Sequence, residues 1–111
     1  MIATTNPTTG EVIATFEPHD RTQIDATLQL AFDAQKTWAR TSLTDRSALL
    51  RRVATLLRER KPMFAALITL EMGKPIVEAE AEIEKCAWNC DYYAENAASI
   101  LGDEIVASGA S

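Results

Sequence analysis

The hydrophobic pattern changes period near residue 20. Val12, Ile13, Thr15 and Phe16 form a short β-branched and aromatic run of the kind that suits a strand, closed by Pro18. Upstream, Asn6-Pro7-Thr8-Thr9-Gly10 supplies turn chemistry, because proline fixes one φ angle and glycine permits a positive one. Residues 1–18 are therefore predicted to form a β-hairpin. Beyond it the apolar spacing becomes helical. Ile24, Leu28, Ala31, Phe32 and Trp38 keep largely to one face of a helix that opens with an Asp20/Gln23 capping box and runs to about Arg40.

Three further helices are predicted. Thr44 is the expected cap of the second, with Leu43 stapled onto Ala48 and a broad stripe of Leu49, Leu50, Val53, Leu56 and Leu57. Pro62 suits the first turn of the third, which runs from Met63 to Met72 and is apolar nearly all round, so it calls for burial on several sides. Gly73 can take the left-handed position after it, and Pro75 blocks continuation. The fourth helix is expected from about Ile76 to Leu101, ending at Gly102, with Glu78/Glu82 and Glu80/Glu84 repeating on its exposed side. Glu104-Ile105-Val106 reads as a possible strand start, so 103–111 is either that or a frayed tail. The fold class is mainly α with an N-terminal β-hairpin, and 19–102 is its helical region.

Length and composition bound the rest. One hundred and eleven residues suffice for one domain, and 47% hydrophobic content offsets the ordering entropy that would leave a polar chain disordered. The net charge of −5 argues against a nucleic-acid partner. The basic group Arg51, Arg52, Arg58, Arg60 and Lys61 reads as a solvated helix face. Met1–Thr5 shows no signal-peptide pattern and no apolar run approaches the length of a bilayer span, so no membrane partner is expected and the chain reads as cytoplasmic.

Candidate chemistry is sparse. Cys86 and Cys90 share a helical face, but zinc needs more ligands and helix geometry opposes a disulfide, so both are expected in the core. Neither sits where a base or helix N-terminus would activate a thiolate. His19, the sole histidine, reads as a cap or surface residue. The four glycines are scattered singly, so neither a dinucleotide fingerprint nor a P-loop is present. Trp88, Tyr92 and Tyr93 read as packing against neighbouring elements. No residue is assigned to catalysis, cofactor binding or metal binding.

A resemblance adds to this. Asn6-Pro7 with Gly10-Glu11-Val12, Trp38, Arg46, Glu71-Met72-Gly73-Lys74-Pro75 and Tyr92-Tyr93-Ala94-Glu95 stand in the order found in NAD(P)-dependent aldehyde dehydrogenases. Glu71–Pro75 and Glu84-Lys85-Cys86-Ala87 look most like the succinate-semialdehyde branch. The resemblance implies the N-terminal piece of an α/β enzyme that oxidises an aldehyde with NAD or NADP. In that family a cysteine thiolate attacks the aldehyde and hydride passes to the nicotinamide. The family's cysteine, glutamate, asparagine and cofactor loops match nothing here, so a scaffold fragment that is inactive and cofactor-free on its own is expected. Its implied partner is the remainder of the fold or a full-length homologue. By the same analogy Lys85 is a candidate for the aldehyde tunnel; a surface lysine paired with Glu82 or Glu84 is the stronger alternative. The rival function is a non-catalytic helical interaction module.

Overall fold

A computed structural model describes residues 1–107 and 109. Strands β1 (Ile2–Thr5) and β2 (Val12–Phe16) pair antiparallel, with Ile2 opposite Phe16 and Thr5 opposite Val12. Thr4 faces Ala14, so the register slips at Thr4/Thr5 and Ile13 is the extra residue of a bulge. The turn forms as its residues dictate. Asn6 Oδ1 accepts from the Thr8 amide at 2.9 Å, Asn6 O accepts from the Gly10 amide at 2.8 Å, and Gly10 adopts φ +76°.

Helices α1 (Arg21–Trp38), α2 (Leu43–Glu59), α3 (Lys61–Met72) and α4 (Ile76–Ile100) follow. The α1 capping box forms as expected: Asp20 accepts from the Gln23 amide at 2.8 Å, and Gln23 Oε1 accepts from the Asp20 amide at 2.9 Å. The cap of α2 differs from expectation. Ser42, not Thr44, accepts the Asp45 amide, at 3.1 Å, and its hydroxyl donates to Asp45 Oδ2 at 2.7 Å. Leu43 is thus the first helical residue rather than a staple outside the helix. Gly73 takes φ +70° and ends α3, and Pro75 leads into α4.

Helix α4 is the central element, packed along α2 and α3. Its buried face is Ala79, Ile83, Ala87 and Ala94, met by Ala54 of α2 and Ala65 of α3. Five of these six are alanines, which let helix axes approach closely but bury little apolar area each. Hydrophobic burial therefore falls short of what the sequence pattern implied. The third helix buries only Ala65, and Met63, Leu67 and Leu70 remain 57%, 49% and 40% exposed. Helix α1 buries no residue at all. Residues 103–107 form no strand, and Ile105 is 96% exposed; Ser108, Ala110 and Ser111 lie outside the described residues.

Two contacts tie the periphery to this bundle. The Arg46 guanidinium lies 5.2 Å from the Trp38 ring centre and donates to Trp38 O at 2.7 Å, fastening the end of α1 to the start of α2. The hairpin turn sits over the α3–α4 corner, where Pro7 Cγ would lie 3.0 Å from any Cβ at position 73.

Candidate functional site

The two long sides of α4 carry different electrostatics. On the side facing α2 and α3, Arg58 donates to Glu84 at 2.8 Å and to Asp91 at 2.7 Å. Lys61 approaches the same Glu84 at 3.4 Å. Arg58 holds the Glu84 carboxyl below its ordinary value, with Lys61 adding to the effect, and the two carboxylates hold Arg58 protonated more firmly still. Arg51 reaches further along, donating to the Ala94 carbonyl at 3.2 Å. Part of the basic group read as a solvated face is thus engaged with α4. Likewise Glu80 and Glu84 are half-buried rather than on the exposed side.

The other side of α4 borders an open groove lined by Lys74, Ala81, Glu82, Lys85, Cys86 and Asn89. The left-handed turn at Gly73 swings Lys74 back over the helix, where its ammonium bonds Glu82. That hydrogen bond raises the Lys74 pKa. Sequence spacing gave no warning of this pair, because the two residues lie on either side of a helix break. Its consequence falls on Lys85. Glu82 is taken by Lys74 and Glu84 by Arg58 and Lys61, and no ion pair within 4.0 Å involves Lys85 among the described residues. The pairing preferred for Lys85 from sequence is not formed. Lys85 lines the groove one helical turn from Asn89 on the same helix. A cation beside an amide donor suits a small carboxylate or similar anion.

Cys86 lines this groove and is exposed, and Cys90 is half-buried, so the expected core placement fails for Cys86. Trp88, Tyr92 and Tyr93 are also exposed. They contact each other, with ring centres 6.0 Å apart for Trp88–Tyr92 and 5.4 Å for Tyr92–Tyr93. His19 is exposed beside the α1 cap. Among the described residues, no group of three or more His, Cys, Asp or Glu side chains could hold a metal ion, and no helix is long and apolar enough to cross a membrane.

The bundle and hairpin recur together in known proteins. The model of the aldehyde dehydrogenase family matches residues 1–111. The chain belongs to that family. A probable succinate-semialdehyde dehydrogenase (NADP+) of Synechocystis is 42% identical over 110 residues, 99% of this chain and 24% of that protein. The succinate-semialdehyde dehydrogenase (NADP+) of Deinococcus radiodurans is 41% identical over 99 residues, 89% of this chain and 21% of that protein. Among solved structures, succinic semialdehyde dehydrogenase from Streptococcus pyogenes in complex with NADP+ superposes with a TM-score of 0.89 at 32% identity, over 96% of this chain and 24% of that one. The chain thus spans about a quarter of the length of these relatives, and its fold is the N-terminal part of the aldehyde dehydrogenase fold.

The groove does not fit a dinucleotide. Phosphate cradles present several backbone N–H groups from a glycine-rich turn at a helix N-terminus. Here Pro75 precedes α4, and the groove is built from side chains along that helix. No step through the nicotinamide is assigned to these residues.

Proposed function

We propose that this chain is the structural N-terminal segment of an NADP-dependent succinate-semialdehyde dehydrogenase, working in the cytoplasm. It supplies framework and substrate attraction and leaves the reacting groups to the rest of the enzyme. The observation that carries this reading is the match along its whole length to relatives of that name. In the family's reaction NADP+ accepts hydride while the aldehyde becomes an acid. The part assigned to this chain is electrostatic: Lys85, which has no salt-bridge partner among the described residues, draws an anionic aldehyde toward the groove on α4. The 111-residue polypeptide alone neither binds NADP+ nor turns over aldehyde.

The test is a chimera in which these residues replace the matching quarter of the Synechocystis relative. NADPH formation from succinate semialdehyde is expected in the chimera and absent from the 111-residue chain by itself. Lys85→Glu in the chimera is expected to raise KM for succinate semialdehyde about threefold to tenfold, leaving a neutral aldehyde unaffected, as suits one solvent-exposed charge. Turnover by the lone chain, or an inert chimera that folds, would end the proposal.

The alternative, a helical interaction module without catalytic duty, is favoured by one observation only: the bare outer face of α3. A sharp, cooperative melt of a monodisperse monomer would support it.

A further inference from the structure

The unpaired state of Lys85 is not a property of its own helix. Its neighbours three and four positions away along α4 are Ala81, Glu82, Trp88 and Asn89. Glu82 is therefore the carboxylate that helical spacing offers to Lys85, and a Glu on the N-terminal side of a Lys is the favoured order. Adjacent Glu84 does not face Lys85 and is engaged by Arg58 and Lys61.

Glu82 is instead captured from outside the helix. Gly73 at φ +70° turns the chain, and Pro75 restricts the next step, so Lys74 is anchored beside the first turns of α4. Its side chain is 33% exposed, and that of Glu82 46%. Glu78 attracts the same ammonium. A partly covered pair with one member anchored at a turn is screened less than a pair of free surface side chains, and it costs less ordering entropy. Lys74 thus outcompetes Lys85 for Glu82.

We propose that Lys74 is a positioning residue for the groove: by holding Glu82 across the α3–α4 break, it keeps the Lys85 ammonium free for an anionic ligand. The groove then carries the two ammonium groups of Lys74 and Lys85 against the single carboxylate of Glu82. That surplus of one positive charge is the complement of a small monocarboxylate. Without Lys74 the surplus vanishes, and Glu82 turns to Lys85. The consequence for aldehyde capture rests on the role given to Lys85 above; the competition between the two lysines does not.

The test reads the lysines directly, by mass spectrometry of the full 111-residue chain after brief treatment with dilute acetic anhydride. Lys74→Gln should slow acetylation of Lys85 about twofold, because a carboxylate partner holds the amine protonated. Adding Glu82→Gln to that variant should restore the rate, and Lys74→Arg should leave it unchanged. A Lys85 rate indifferent to Lys74→Gln, or slowed equally in the double variant, would overturn the proposal. In the chimera, Lys74→Gln should raise KM for succinate semialdehyde relative to KM for a neutral aldehyde about twofold to fivefold, and the double variant should reverse the rise. Slowed acetylation with an unmoved KM ratio would uphold the competition and refute the part given to Lys85. A raised ratio with unchanged acetylation would do the opposite.

Discussion

Gly73 does two jobs at one position. Its φ of +70° is one that side-chain-bearing residues adopt at a cost of roughly 1–2 kcal/mol. A methyl group there would also press to 3.0 Å from Pro7 Cγ. Gly10 offers a built-in comparison, with φ +76° and no atom within 4 Å of its would-be Cβ. Gly73→Ala should therefore lower unfolding free energy by roughly 1–2 kcal/mol through the backbone alone, with a further loss from displaced Pro7. Gly10→Ala should show only the backbone part. Urea titration of both variants reads the difference, and equal losses would mean the Pro7 contact carries no energy. The two short motifs that contain Pro7 and Gly73 were visible in the sequence as a turn and a helix stop. That they touch was not, because local chemistry specifies a turn without specifying what lies above it. The same holds for Trp38 and Arg46, legible as a helix end and a helix start, yet joined by a guanidinium on an indole.

Among elements, helix boundaries were the readable part. The capping box at Asp20, the proline-led start of α3 and the glycine stop at its end all follow from backbone hydrogen-bonding needs that a few residues satisfy. The side chain–side chain pairing between helices was harder to read. Glu82 and Glu84 share one helix, but helical rotation sends one to Lys74 and the other to Arg58, and this left Lys85 exposed in the groove against the sequence-based preference. The Arg58–Glu84 clamp has a pH signature. Glu84 is held below its ordinary value of 4.5, so its contribution is complete above that pH and disappears as pH falls through the lower folded-state value. Glu84→Gln should flatten the acid side of the stability curve below about pH 4.5 and reduce stability at neutral pH. An acid limb identical to that of the unsubstituted chain would show that the clamp does not couple the helices. The screened, exposed setting of these groups keeps the effect modest.

At the scale of the whole molecule, the chain is long rather than round. Its radius of gyration is 20.3 Å and its extents are 70 × 40 × 24 Å, against a radius of about 13 Å for a compact domain of this length. Composition had implied a sizeable core, because it counts apolar residues without saying whether their partners belong to the same hundred residues. Stability should accordingly be graded. Amide exchange is expected to be slowest in α4 and the facing turns of α2 and α3, and close to unprotected in α1, which buries nothing. Uniform protection across all helices would contradict that gradient.

The unoccupied side of α3 also sets a clock. In a protein four times this length, such as the Synechocystis relative, roughly 350 residues lie outside the matched region. At the usual 5–20 residues per second, a ribosome needs about 20–70 s to make them. If those residues are translated later, the greasy flank of α3 waits bare for that interval.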